Sequence, residues 1–221
     1  LGISLLAYPS IGVPFIDHHS TIFSILSIYC FILALKRKNN FLLLLIPVFL
    51  GLSFLSKQIP AAYIIVFVSL VLIFDFVYNF NKKGLYFTIG GIVLFFLFIF
   101  LIFRLSNIPF TNFLTQYIFY PSTIGQDRID NFSINIEDIF NKFKFIYISI
   151  FPLFVVIYKI ISKKKLIKSE KNDLMIIFLI IGMVNIFIYT QMITKNQILI
   201  FFLIPLTTAF SHVFYKKYIK S

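Results

Sequence analysis

Three short polar motifs in an otherwise apolar sequence carry side chains that could do chemistry. They are, in chain order, Asp17-His18-His19, Lys57-Gln58 and Lys195-Asn196. A carboxylate beside imidazoles can bind a cation or a hydroxyl group, and a lysine ammonium suits a phosphate because it combines a point charge with three donors. These residue types predict a site for a phosphate-bearing substrate.

The longest polar segment, residues 106–144, connects two apolar blocks. Apolar residues recur at helical spacing around Phe113 and again around Phe140, so we expect two amphipathic helices in the membrane interface. The turn between them contains Tyr120 and leads to Arg128. Such a segment is either a plain cover for the bundle or a lid over a lipid-derived substrate, with Tyr120 and Arg128 as binding residues.

Asp17 and its two histidines have a structural interpretation beside the functional one. Asp17 precedes an apolar block that begins near Thr21, so it could simply cap a helix, where the dipole favours an acid. Adjacent helical residues point about 100° apart, so His18 and His19 do not form the usual i, i+4 chelating pair. We therefore expect no metal site. Asp17 and His18 are predicted to support the site, and His19 to bind substrate.

Apolar helices must position these motifs. The 221-residue chain is 60% hydrophobic and 13% charged, whereas a soluble domain usually has about a quarter charged residues. The sequence predicts an all-α fold, a polytopic transmembrane helix bundle forming a single domain over residues 1–221, with a partial first span and about seven full ones. The predicted blocks are Leu1–Tyr8, Thr21–Leu35, Phe41–Leu55, Ala61–Tyr78, Leu85–Leu105, Phe145–Ile161, Leu174–Tyr189 and Ile198–Phe214.

The distribution of lysines predicts which connections face the cytoplasm. Seven crossings divide the connections into two alternating sets, and one set carries fourteen of the twenty basic residues. The positive-inside rule makes that set cytoplasmic. It is expected to offer only lysine, asparagine and serine. All the motifs above fall in the other set, so any chemistry is predicted on the periplasmic or other extracytoplasmic face of the inner (plasma) membrane.

Lys57 lies in a tight turn between two apolar blocks, just before Pro60. A lysine at the end of a span often only extends its ammonium into the interface, which is the structural alternative. However, lysine is uncommon on the translocated side, and this turn is short. A fixed ammonium there would suit a lipid phosphate or diphosphate, so Lys57 and Gln58 are predicted to bind substrate.

The composition also excludes several classes of protein. The net charge of +12 comes from lysines in short loops, which excludes a nucleic-acid-binding module, and the apolar blocks exclude a soluble enzyme or a disordered tail. Cys30 is the single cysteine, so no disulfide or zinc site is expected. Because the chain begins at Leu1 within an apolar run, we expect it to be a fragment that lacks its amino-terminal part.

Three stretches share features with one known family. Residues 16–23 (IDHHSTIF) place an acid at the outer start of a span, although His19 stands where that family often has proline. Residues 51–58 (GLSFLSKQ) are similar to its Gly-Leu-Ala-Phe-Leu-Thr-Lys-Gly turn, and residues 195–205 match a basic turn that leads into a Tyr-Leu-x-Pro span. Together they resemble the GT-C membrane glycosyltransferases, in particular aminoarabinose transferases and protein O-mannosyltransferases.

This resemblance implies a sugar donor on a polyprenyl phosphate, with Lys57 and Lys195 at the phosphate and Asp17 in the outer polar site. A hydroxyl of a lipid, glycan or protein acceptor would displace the phosphate with inversion. The family's catalytic acid lies in an earlier loop that has no counterpart here, so the catalytic residue is expected in the missing segment. No cofactor is implied with certainty, and the sequence does not support a divalent metal.

The main alternative is a transporter or flippase for lipid-linked saccharides. It would also need an outer basic and aromatic site, but it predicts broken helices near mid-membrane and an inverted repeat. An inert membrane scaffold and a polymerase or ligase of surface polysaccharide are further alternatives. An acidic residue in the first outer loop upstream of this chain would favour the transferase over the transporter.

Overall fold

The computed structural model describes residues 16–79, 81–123, 136–194 and 200–220. These ranges are helical apart from short turns, which confirms the all-α prediction; the predicted partial span Leu1–Tyr8 lies outside them. The helices are α1 (Ile16–Arg37), α2 (Phe41–Ser56), α3 (Gln58–Asn79), α4 (Lys82–Ser106), α5 (Phe110–Phe113) with the π-helical turn π1 (Leu114–Phe119), α6 (Ile136–Ile161), α7 (Lys168–Thr194) and α8 (Leu203–Tyr218).

Five of these helices (α1, α3, α4, α6 and α7) are long and apolar enough to cross a membrane. α2 is a shorter apolar helix, and α8 has 16 residues. Many large apolar side chains face outward, among them Leu105 (81% exposed) and Tyr86 (71% exposed) on α4. Water would make so much exposed apolar surface unfavourable, so the surface fits a lipid environment.

The polar side chains gather at two opposite ends of the helices. At one end, which we call the Asp17 end, Lys57 in the α2–α3 turn forms a salt bridge with Asp17 at the start of α1. At the other end, which we call the Asp173 end, Lys36 near the end of α1 and Lys217 near the end of α8 both contact Asp173. Consecutive helices therefore alternate in direction.

The α2–α3 turn is tight because two of its residues are extended. Lys57 has φ −158° and ψ 130°, and its backbone N–H donates to the Ser53 carbonyl. Ile59 is also extended, at φ −110° and ψ 120°, as expected for a residue before proline. Pro60 then begins the regular part of α3, where its missing N–H costs no helical hydrogen bond. This turn places Lys57 at the surface of the bundle.

Two glycines allow α2 and α4 to pack closely. A Cβ atom on Gly91 of α4 would lie 2.1 Å from the backbone oxygen of Leu44, and one on Gly51 of α2 would lie 2.3 Å from the ring of Phe95. Small residues at such contacts let helix backbones approach each other in membranes. Gly51 belongs to the GLSFLSKQ stretch, so helix packing accounts for part of that motif.

Two boundaries differ from the predicted ones. α1 begins at Ile16 rather than near Thr21, so Asp17 and both histidines lie in its first turn instead of in a loop. The predicted amphipathic segment around Phe140 and the span that follows form one helix, α6, whose only break is a non-helical backbone at Phe143 (φ −112°, ψ 15°). The stretch around Phe113 is also helical, as predicted.

Candidate functional site

The α2–α3 turn brings Lys57 onto the first turn of α1. Its ammonium forms a salt bridge with the carboxylate of Asp17. The Asp17 side chain is only 9% exposed and the Lys57 side chain is 24% exposed, so the ammonium is the more accessible partner. An acid in the first turn is also stabilised by the helix dipole. The two residues were predicted to share one polar layer, and the structure places them in direct contact.

A cluster of buried serines holds this turn against α1. The Ser53 hydroxyl lies 2.8 Å from that of Ser24 and 3.1 Å from that of Ser20. The Ser20 hydroxyl in turn donates to the backbone carbonyl of Lys57 at 3.2 Å. All three serines are fully buried. The cluster therefore positions the backbone of Lys57. The three serine hydroxyls are buried, and their hydrogen-bonding capacity is satisfied within the bundle.

Sequence reasoning missed the serine cluster, although a signal was present. Ser20 and Ser24 are four residues apart, so they lie on one face of α1. Ser53 sits four residues before Lys57, in the last turn of α2. Hydroxyls at i, i+4 spacing within an apolar span indicate a contact with a neighbouring helix, because an isolated hydroxyl in lipid would lack a partner.

Tyr117 on π1 closes one side of the same turn. The side-chain amide of Gln58 donates to the Tyr117 carbonyl, and the Tyr117 hydroxyl donates to the carbonyl of Phe54. The Tyr117 and Phe54 rings meet edge to face, with centroids 6.1 Å apart. Burial raises the pKa of the Tyr117 hydroxyl to about 12, so this donor stays protonated at physiological pH. π-helical turns are frequent at functional sites.

The other predicted site residues differ in exposure, and some of them lie outside the described ranges. His18 is buried and His19 is exposed, so the two imidazoles point apart, as their spacing predicts. Tyr120 is 66% exposed, and Tyr117, one turn earlier, makes the contacts to the α2–α3 turn instead. The predicted site residues that lie outside the described ranges are Arg128, Lys195 and Asn196. Within those ranges, no group of three His, Cys, Asp or Glu side chains could hold a metal ion.

The Asp173 end contains a second group of polar contacts. The Asp173 side chain, 1% exposed, accepts hydrogen bonds from Lys36, Lys217 and the Tyr218 hydroxyl. Lys163 pairs with Glu170 in the first turn of α7. The expectation that this end offers only lysine, asparagine and serine was wrong. Glu170 and Asp173 lie within or just after the lysine-rich connection, and both form salt bridges with lysines.

A cavity of about 670 Å³ lies between α3 and α7, away from the Asp17 end. Its walls are mostly apolar, but they include Asp75, which is 3% exposed and accepts a hydrogen bond from the Asn79 side chain at 2.6 Å. Lys171 also lines it and donates to the Tyr78 hydroxyl. Sequence reasoning did not select this cavity, because its apolar walls have no distinctive sequence pattern.

No protein-family model matches this sequence, and neither does any curated protein or solved structure. The Asp17 end combines a partly exposed ammonium with a buried carboxylate, and the Tyr117 hydroxyl there donates to the Phe54 carbonyl. The Lys57 ammonium is the group in this arrangement that can bind an anion.

Proposed function

We propose that this chain belongs to a membrane glycosyltransferase of the GT-C type, which transfers a sugar from a polyprenyl-phosphate donor to an acceptor hydroxyl. The observation that supports this best is the Asp17–Lys57 pair, in which a largely buried carboxylate holds a partly exposed ammonium at one end of the bundle. The phosphate of a lipid-linked donor would lie at the membrane surface, level with Lys57, because its polyprenyl chain stays among the helices. The donor phosphate would contact Lys57 beside Asp17.

The proposed topology has seven crossings. The five long apolar helices would be joined by α2 and α8, which are short enough to need a locally thinner bilayer. Fourteen of the twenty basic residues fall at the Asp173 end, which would therefore face the cytoplasm. The Asp17 end would then open on the extracytoplasmic face of the inner membrane, where no nucleotide sugar is supplied and a lipid-linked donor is needed.

The proposed chemistry makes Lys57 a transition-state group. When the acceptor oxygen bonds to the anomeric carbon, the bond from that carbon to the phosphate oxygen breaks, and the phosphodiester becomes a phosphate monoester with one more negative charge. An ammonium beside the leaving oxygen is worth more in that transition state than in the ground state. Asp17 would keep Lys57 in place, and His18 would support Asp17. The acceptor hydroxyl would pass its proton to a general base as the new bond forms.

The remaining predicted contacts would orient the donor and acceptor. His19 is exposed beside the ion pair, and Gln58 keeps further amide groups for a sugar hydroxyl after donating to Tyr117. Tyr120, Arg128, Lys195 and Asn196 are proposed to bind from the long loop and the last outer turn. Fixing the reacting groups in this way lowers the entropy cost of the transfer.

The test must separate phosphate binding from a structural ion pair. Lys57→Met alone would leave Asp17 buried without its partner, so the informative variant is Asp17→Asn/Lys57→Met, which removes both charges together. We expect the full-length double variant to insert normally and to lose about 100-fold or more in kcat/KM for transfer of a radiolabelled sugar from polyprenyl phosphate, the usual effect of losing one charge-stabilising group. Lys57→Arg should retain part of the activity.

Lys144→Met is the matched control, because Lys144 is an exposed lysine near the start of α6 at the same end. Its transfer rate should stay within about twofold of the parent rate, since no transition-state contact is lost. Unchanged turnover in the Asp17→Asn/Lys57→Met variant would reject the role of Lys57. Absence of transfer by the parent from a panel of polyprenyl-phosphate sugars would reject the transferase.

The same preparation distinguishes the transporter alternative. Within the described helices, the non-helical positions Ile59 and Phe143 lie near the Asp17 end and not near mid-membrane, where a transporter site would need broken helices. This placement favours the transferase. Movement of a lipid-linked saccharide across proteoliposomes without any sugar transfer would instead establish the transporter.

A further inference from the structure

A second groove lies between α1, α7 and α8, on the side of the Asp173 cluster. It has a volume of about 290 Å³. Its apolar walls include Tyr29, Ile32, Phe210 and Phe214. Lys36 and Lys217 also line it, and they stand at its Asp173 end, one on α1 and one on α8. The groove therefore joins an apolar channel to two cations at one level of the bundle.

Asp173 holds these two lysines in place without neutralising them. One carboxylate faces two ammonium groups, so the group keeps one net positive charge. The Asp173 side chain is 1% exposed, whereas those of Lys36 and Lys217 are 43% and 46% exposed. The acid is thus buried, and the two lysine side chains that hold the positive charge are nearly half exposed. The Tyr218 hydroxyl donates a third hydrogen bond to the same carboxylate at 2.5 Å.

The surface next to the groove adds further positive charge. Lys216, Lys220 and His212 line an open hollow that shares Val213 and Lys217 with the groove. The nearby acid Glu170 is engaged by Lys163. The mouth of the groove is therefore lined by lysines from the last turn of α8 and from the residues that follow it.

We propose that this groove binds one anionic glycerophospholipid, with its phosphate between Lys36 and Lys217 and part of an acyl chain against Ile32 and Phe214. Point-charge ammonium groups suit a phosphate, and basic pockets between membrane helices are typical sites for anionic headgroups. A zwitterionic lipid would fit less well, because its own cation would approach Lys216 and Lys220. This proposal does not depend on the glycosyltransferase proposal and concerns the opposite end of the bundle.

The test measures lipid selectivity directly. The purified full-length protein is placed in nanodiscs that contain phosphatidylglycerol and phosphatidylcholine with the same acyl chains, and retained lipid is counted by native mass spectrometry. We expect the parent to retain phosphatidylglycerol at least fivefold more than phosphatidylcholine. Equal retention of the two lipids would overturn the proposal.

Two charge variants assign the headgroup contacts. Lys36→Gln/Lys217→Gln/Asp173→Asn removes the whole cluster without leaving a buried unpaired acid, and it should reduce the preference to less than twofold. Lys216→Gln/Lys220→Gln leaves Asp173 and its partners intact and should reduce the preference about twofold to threefold. Lys82→Gln/Lys83→Gln removes two exposed lysines from the start of α4 at the same end and should leave it unchanged. An equal loss of the phosphatidylglycerol preference in this control would show that the preference comes from diffuse surface charge, and it would overturn the proposal.

A pair of size variants assigns the acyl-chain contact. Ala209 lines the groove and is exposed, so Ala209→Trp should fill it and reduce lipid retention at least threefold. Thr208 is exposed beside it but does not line the groove, and Thr208→Trp is the matched control. Full retention in Ala209→Trp would overturn the proposal. So would a dimer in which a second copy covers Ala209 and no phosphatidylglycerol preference appears.

Discussion

The two ends of the bundle each contain a buried carboxylate, but they use it differently. At the Asp17 end one acid faces one lysine, and that lysine sits in a short turn with its ammonium partly open to the surroundings. At the Asp173 end one acid receives three donors from α1 and α8. The first arrangement joins the α2–α3 turn to α1, whereas the second joins three helices and leaves two lysine side chains nearly half exposed.

The difference shows how the number of partners changes the role of a buried acid. In the proposed site, the single lysine paired with Asp17 would also contact the incoming phosphate. A carboxylate with two lysines and a tyrosine stays satisfied when one lysine engages a lipid. The proposed chemistry at the Asp17 end and the proposed lipid contact at the Asp173 end both use this difference in the number of partners.

The largest effect should come from removing the lysines of the Asp173 end. Lys36→Met/Lys217→Met leaves an almost fully buried acid with only the Tyr218 hydroxyl, and we expect the protein to lose about 3 kcal/mol of stability. Because both lysines are nearly half exposed, this value is at the low end for broken buried pairs. Cys30 is buried and is the single cysteine, so a thiol-reactive dye reports unfolding of α1 on heating.

Adding Asp173→Asn to that double variant is the control. It removes the unpaired charge, so it should recover about half of the lost stability. A triple variant that unfolds no later than the double variant would contradict the idea that the unpaired acid is what destabilises the bundle.

The loss of stability caused by an added methyl group between α2 and α4 should differ between the two ends. Gly91→Ala, nearer the Asp173 end, would press its Cβ against the backbone oxygen of Leu44, and we expect a loss of about 2 kcal/mol. Gly51→Ala, nearer the Asp17 end, meets the ring of Phe95, which can turn aside, so the loss should be about 1 kcal/mol. Thermal unfolding in the same dye assay measures both.

Gly90→Ala is the matched control for this pair. A Cβ at Gly90 meets nothing within 4 Å, so alanine there should leave stability unchanged or raise it by about 0.5 kcal/mol through helix propensity. A loss at Gly90 as large as the loss at Gly91 would mean that α2 and α4 do not pack as described.

The Asp17–Lys57 pair should matter less for stability than the Asp173 cluster. Lys57→Met is expected to cost about 1.5 kcal/mol, because one acid loses its partner while α1 keeps its serine contacts. The Asp17→Asn/Lys57→Met variant should regain most of this loss. A cost equal to that of the Asp173 cluster would make the pair a structural device and remove the contrast between the ends.

The smallest effect is expected at Tyr117. Tyr117→Phe removes the hydrogen bond to Phe54 and should cost about 1 kcal/mol, seen as faster hydrogen exchange in residues 110–119. The pKa of Tyr117 rises from 10 to about 12 on folding, so its stabilising contribution is complete below pH 10 and is lost as the pH rises through 12. Phenolate absorbance in parent and variant should differ by one group that titrates near pH 12. A difference that titrates near pH 10 would show that Tyr117 is exposed.

Much of this organisation could be predicted, and the reasons for the errors are specific. Apolar block length predicted the five long apolar helices, and lysine-rich turns predicted the end at which Lys36 and Lys217 would lie. Tyr120 was predicted at the site where Tyr117 makes the contacts, because spacing within an amphipathic segment does not reveal which face a π-helical turn presents. The role of Asp173 was missed, because an acid just inside a span has the same sequence signature whether it meets lysines or water.

By itself the sequence determined that the described ranges are helical and that Asp17 and Lys57 would lie at one end and Lys36 and Lys217 at the other, because block length and alternating direction depend only on the order of residues. Tertiary structure alone decided the partners. Asp173 meets Lys36, 137 positions earlier in the chain, and Asp17 meets Lys57, 40 positions later. These pairings depend on which helices are neighbours and on how each helix is rotated about its axis. Neither hydrophobic periodicity nor charge spacing encodes that information.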